Sequence, residues 1–99
     1  MKNIIENLNK TFDNRIRLGI MSALMVNEEM NFNELKELMQ VTDGNLASHI
    51  KPLEESGYIN IKKGFIGKKT NTTYAATKSG VAAFKSHLSA LEKMIKSTK

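Results

Sequence analysis

The stretch Asn33–Tyr58, NELKELMQVTDGNLASHIKPLEESGY, decides the fold. Leu35, Leu38 and Met39 recur at a spacing that lines one side of a helix over Asn33–Gln40. Val41, Thr42 and Asp43 break that rhythm. Thr42 and Asp43 are strong N-cap residues, because a side-chain oxygen there accepts from the open amides of a new helix. Beyond them Leu46, Ile50 and Leu53 fall at intervals of four and three and face inward. Asn45, Ser48 and His49 lie on the opposite side, with nothing apolar among them. Gly57 closes the segment where a left-handed backbone is wanted. The stretch therefore reads as two short helices joined by a tight turn, the first bracing the second. A second helix with a small, polar, hydrogen-bonding outer face meets the steric and chemical demands of the DNA major groove.

Pro52 is the one irregularity. It has no amide for the Ser48 carbonyl and its ring crowds that carbonyl, at roughly 3 kcal/mol in a helix interior. Either the helix kinks there or it is regular only up to Lys51. Asn45, Ser48 and His49 precede the proline in both cases.

Downstream, Tyr58–Lys63 alternates, with Ile59 and Ile61 on one face, which predicts a strand. Gly64-Phe65-Ile66-Gly67 reads as a turn continued by Lys68-Lys69-Thr70-Asn71, and Thr72–Ala75 as the returning strand of a hairpin. The hairpin lysines either contact phosphates or guard an exposed strand edge from aggregation. Their clustering immediately after the polar helix favours phosphate contact. Thr77 caps a last helix in which Val81, Phe84, Leu88, Leu91 and Ile95 recur at intervals of three, four, three and four. That narrow stripe is of coiled-coil type, on a helix of about 30 Å, longer than so small a body covers. The same helix of a second copy would bury it, aided by Ile4, Ile5 and Leu8; packing within one chain is the alternative, and twofold assembly is favoured.

Upstream, Ile4, Ile5, Leu8 and Phe12 predict a short amphipathic helix over residues 3–12. A firmer helix starts at Asp13 or Asn14, with Ile16, Ile20, Ala23 and Leu24 inward and Gly19 marking a close helix contact. Arg15 and Arg17 lie on different sides of it and read as solvated, although one could reach a phosphate. Met30-Asn31-Phe32 reads as a brief strand before Asn33 caps the bracing helix.

The 99 residues fit one domain near the small end of what buries its own core. The net charge of +5 hides an asymmetry: residues 1–57 carry six basic and nine acidic side chains, whereas Tyr58–Leu91 carries six lysines and no acid. A single-sign block in half of a small domain points to a polyanionic partner. The chain has no cysteine, no bilayer-spanning run and no signal-peptide pattern, which fits a reducing cytoplasm.

The run Leu35-Lys36-Glu37-Leu38 followed by Val41–Ile59 resembles the small winged helix-turn-helix transcriptional regulators of bacteria and archaea, relatives of the MarR and ArsR groups. Lys63–Lys69 and Thr72–Gly80 are similar to the wing and the opening of the last helix in that family. The resemblance covers about residues 12–95 and departs from the commonest pattern at Pro52. It implies a mainly α fold with a small β-hairpin wing at about 58–77 and a dimerisation helix at about 78–97, forming one domain over residues 1–99. It also implies a homodimer that binds double-stranded DNA sequence-specifically. The helix opened by Thr42 would enter the major groove, with Gly44, Asn45, Ser48 and His49 facing bases or phosphates and Lys51 facing the backbone. Lys62, Lys63, Lys68, Lys69 and Thr70 would serve the wing. The interface would comprise Ile4, Ile5, Leu8, Val81, Phe84, Leu88, Leu91 and Ile95.

An enzyme is not expected. His49 and Asp43 sit on different turns and form no dyad, and no glycine-rich phosphate loop or metal-ligand spacing occurs. His87 stands alone in the last helix and reads as a surface or interface side chain. No cofactor, metal or membrane partner is therefore expected, and a small-molecule effector stays open. The alternative of a different class is a winged-helix module that binds protein and not DNA, since fold alone does not fix function. RNA binding is weaker, because stacking on single strands needs exposed aromatics and only Phe65 among the six is expected to be exposed.

Overall fold

Asn14 opens the first long helix. Its Oδ1 accepts from the amides of Ile16 at 2.9 Å and Arg17 at 3.2 Å, and α1 follows over Arg15–Val26. Ile20, Met21, Ala23 and Leu24 are buried along its inner side and form the centre of the core with Leu35, Leu46, Leu53 and Ile59. The structure, a computed structural model, describes residues 5–97.

A short strand β1, Met30–Asn31, leads directly into α2, Phe32–Met39. The cap is Asn31 and not Asn33. Asn31 Oδ1 accepts from the Glu34 amide and Glu34 Oε1 accepts from the Asn31 amide, each at 2.8 Å. That reciprocal pair satisfies two open amides and starts the helix two residues earlier than apolar spacing suggests. The inner face is centred on Leu35 and Met39, which leaves Leu38 exposed. The expected close contact at Gly19 is with this helix, since a Cβ there would lie 2.8 Å from Met39 Sδ.

Gln40, in the left-handed region at φ 56°, ends α2. Thr42 then caps α3, Asp43–Glu55, its Oγ1 accepting from the Asn45 amide at 3.1 Å. Lys36 Nζ lies 2.8 Å from Asp43 Oδ1 and ties the two helices across the turn. The helix runs through Pro52 and does not stop at Lys51. Only the amide of one late turn is missing, and beyond it Ser56, Gly57 and Tyr58 donate to Pro52, Glu54 and Leu53 at 2.9–3.0 Å. Gly57 takes φ +76° as expected of a left-handed stop. Thr42→Ala is expected to cost about 1 kcal/mol, the usual worth of an N-cap, read as a lower urea midpoint with unchanged slope.

Strands β2, Ile59–Ile66, and β3, Lys69–Ala76, pair antiparallel from Ile59↔Ala76 to Ile66↔Lys69, and β1 adds to the far edge of β3 in the order β1-β3-β2. The turn is only Gly67-Lys68, so the expected turn at Gly64–Gly67 lies mostly inside β2, where Gly64 faces Asn71. Gly67 at φ +64° supplies the conformation a two-residue hairpin loop needs to match strand twist. Thr77 Oγ1 accepts from the Gly80 amide at 2.9 Å and donates to the Gly57 carbonyl at 2.7 Å, which opens α4, Lys78–Ser97, beside the end of α3.

The helix expected over residues 3–12 is not formed among the described residues, and Ile4 lies outside them. In its place is a 3-10 turn, Lys10–Phe12, capped by Asn9, whose Oδ1 accepts from the Thr11 amide at 2.9 Å. An asparagine that bonds its own backbone competes with helix continuation. The turn drives Phe12 into the core, its ring centroid 5.4 Å from each of Tyr58, Phe84 and His87.

Candidate nucleic-acid interface

Along α3 the apolar and polar sides separate cleanly. Leu46, Ile50 and Leu53 are buried, while Thr42, Gly44, Asn45, Ser48 and Lys51 are exposed. Ser48 Oγ donates to the Asn45 carbonyl at 2.9 Å, which leaves its two lone pairs open. His49 differs from its neighbours. It is half-buried, and Arg17 Nη1 lies 3.0 Å from its Nδ1. Arg17 is itself held, because its Nε donates to the Thr11 carbonyl at 2.6 Å. The sequence reading of Arg17 as a solvated side chain is thus corrected. Helical spacing describes α3 alone, whereas the contact spans α1 and α3 over 32 residues and leaves no local signal.

The hairpin carries Lys62, Lys63, Lys68, Lys69 and Thr70, all exposed. Pairing puts Lys62 opposite Thr73 and Lys63 opposite Thr72, so these two cations stand on opposite faces. Among the cations near the tip, Phe65 is 74% and Ile66 67% exposed. Toward the base, Ile59 and Tyr74 turn into the core. Burial pushes the Tyr74 hydroxyl above its usual pKa and the charge of Glu54 adds to the effect, so the phenol stays neutral and serves packing.

On α4 the side facing the body is Gly80, Phe84, His87 and Ala90, all buried. Phe84 lies in the core against Phe12. Val81 and Leu91 are half-buried, and Leu88 is 44% and Ile95 65% exposed. The expected stripe therefore straddles two faces, one turned to the body and one outward. Ile5 is exposed and Leu8 half-buried, and both line a groove shared with Phe12, Leu18, His87 and Leu91. The reading of His87 as a surface or interface residue is corrected: it is 5% exposed and its Nδ1 accepts from the Asn9 amide at 3.0 Å. An isolated histidine gives no sequence signal of this, since its partner is a backbone amide 78 residues away.

Among the described residues no group of three or more histidine, aspartate or glutamate side chains is arranged to hold a metal ion, and no helix is long and apolar enough to cross a membrane.

Residues 16–95 match the winged helix DNA-binding domain family. The chain belongs to that family. This winged helix domain is 39% identical over 79 residues to the uncharacterized protein MJ0432 of Methanocaldococcus jannaschii, spanning 80% of the chain and 86% of that relative. Its fold superimposes on the transcriptional regulator homologue protein from Pyrococcus horikoshii OT3 with a TM-score of 0.85 and 30% identity, covering 97% of this chain and 93% of the other. A second solved structure, the Enterococcus faecalis V583 protein assigned to the MarR family of transcriptional regulators, shares the fold at a TM-score of 0.74 and 19% identity, covering 90% and 79%. Family membership and the Pyrococcus horikoshii neighbour support a DNA-binding regulator. The wing of the family corresponds to the β2–β3 hairpin, and the helix-turn-helix to α2 and α3.

Proposed function

We propose that this winged helix domain is a sequence-specific, double-stranded-DNA-binding transcriptional regulator that acts as a homodimer. The observation that carries the reading is the exposed polar side of α3, Gly44, Asn45 and Ser48, backed by a fully buried apolar side. A helix seated this firmly can enter the major groove with little reorganisation, and its amide and hydroxyl groups suit base edges. Lys51 and the wing residues Lys62, Lys63, Lys68, Lys69 and Thr70 would follow the phosphates, where contacts position the protein without reading sequence. Replacing Asn45 and Ser48 together by alanine should relax sequence preference in a selection from random DNA while leaving the salt dependence unchanged. An unchanged preference would remove α3 from the reading role.

The dimer would form through the outward side of α4, with Leu88, Leu91 and Ile95, helped by Ile5 and Leu8. The molecule measures 58 × 25 × 21 Å, and an exposed leucine midway along a 20-residue helix favours a partner there. Leu88→Glu is expected to convert dimer to monomer in light scattering, because two carboxylates would face each other across a twofold axis. A variant that keeps the dimer mass would place the interface elsewhere.

A further inference from the structure

Resting on the reading of α3 as the groove-facing helix, we infer that Arg17 is a positioning residue that fixes His49 as a hydrogen-bond donor to DNA. A guanidinium only donates and stays charged in proteins, so the ring nitrogen 3.0 Å from Arg17 Nη1 must be the one without a proton. Nδ1 of His49 is therefore the acceptor, and the proton of the neutral ring sits on Nε2. Nε2–H, on the far side of the ring from Arg17, is left to donate. The acceptors it can meet on a major-groove edge are guanine O6 or N7, adenine N7 and thymine O4, whereas the cytosine amino group offers a donor and is refused.

The arrangement is anchored at each link. Asn14 Oδ1 accepts from the Arg17 amide at 3.2 Å and fixes where the arginine leaves α1. Thr11 accepts from Arg17 Nε at 2.6 Å, so the guanidinium is gripped on one edge while another edge holds the imidazole. Thr11 Oγ1 in turn lies 3.4 Å from Ser56 Oγ, just beyond the end of α3. A lysine donates from a single flexible ammonium and lacks the planar fork, so it holds the Thr11 carbonyl and the ring together less firmly. Base preference at one position would thus be set partly by a residue that never touches DNA, 32 positions away in the chain.

The test uses the full chain and two readouts. Long-range 15N–1H spectra of the imidazoles report which nitrogen carries the proton. His87, whose Nδ1 accepts from the Asn9 amide, is an internal reference with the same expected tautomer. The unaltered protein should show both rings protonated at Nε2. Arg17→Met, and Arg17→Lys as a gentler second variant, should move the His49 signals toward a tautomer mixture and leave those of His87 in place. In selection from a random DNA pool, His49→Ala should lose the preference at one half-site position, and Arg17→Lys should weaken that same preference by about fivefold, the worth of a single hydrogen bond. Adding His49→Ala to Arg17→Lys should change that position no further than His49→Ala alone. A His49 ring protonated at Nδ1 overturns the proposal, as does an Arg17→Lys variant with unchanged preference. Both leave DNA binding by α3 standing. An unaltered protein that selects no DNA overturns the reading of α3, and the proposal falls with it.

Discussion

Gly80→Ala is expected to cost about 3 kcal/mol and to lower the thermal midpoint by roughly 15 °C. A Cβ at this position would overlap the Tyr58 carbonyl oxygen and lie 2.8 Å from its carbon and 2.9 Å from its Cα. Those atoms are backbone and have no rotamer in which to retreat. They are also pinned, since the Thr77 amide donates to the Tyr58 carbonyl at 3.0 Å and Thr77 Oγ1 donates to the Gly57 carbonyl at 2.7 Å. Relief would need α4 to lift from the crossing, which would loosen the packing of Phe84 against Phe12. Gly44→Ala is the matched control, because nothing lies within 4 Å of a Cβ there and alanine favours a helix. Its midpoint should hold or rise slightly. Equal midpoints for the two variants in calorimetry would mean that α4 does not cross the chain as closely as described.

Replacing Lys62, Lys63, Lys68 and Lys69 together by glutamine is expected to weaken binding to any duplex by about a thousandfold per subunit at about 0.1 M salt. Each phosphate contact releases counterions and adds roughly 0.9 to the slope of log affinity against log salt, so the slope should flatten by about 3 to 4 per subunit. Stability should move little, since all four side chains are exposed. Order of preference among sequences should survive, because contacts of this kind carry no base information. Titrations at several salt concentrations check this. A slope equal to that of the unaltered protein would show that the hairpin lysines serve only to protect a strand edge.

The layout of the fold was legible because its signals are local. Thr42, Gly57 and Thr77 punctuate the helices by capping chemistry that acts within a few residues, and Leu46, Ile50 and Leu53 reveal the buried side of α3 by spacing alone. The misread features depend on contacts the spacing cannot contain. Asn31 displaced Asn33 as a cap because Glu34 reaches back to it. The hairpin turn shrank to Gly67-Lys68 because strand pairing carries past Gly64. Pro52 did not end α3, since the loss is confined to one bond near its last turn while Leu53 is buried just beyond it. His49 illustrates the same divide within the site. Its place on the polar side follows from the helix period, but its donor direction follows from Arg17, whose arrival depends on how α1 packs on α3. On α4 the period of the stripe was plain, but which rows face the body was not, and Phe84 and His87 turn inward because the 3-10 turn delivers Phe12 between them.

The central claim is that α3 reads a duplex from a twofold assembly. Selection of bound sequences from a random double-stranded pool, with the mass of the complex measured on the winning sequence, tests it most directly. The expected result is an inverted repeat with half-site centres one helical turn apart, about 34 Å, occupied by two copies of the chain. No enrichment of any sequence even at low salt would contradict it.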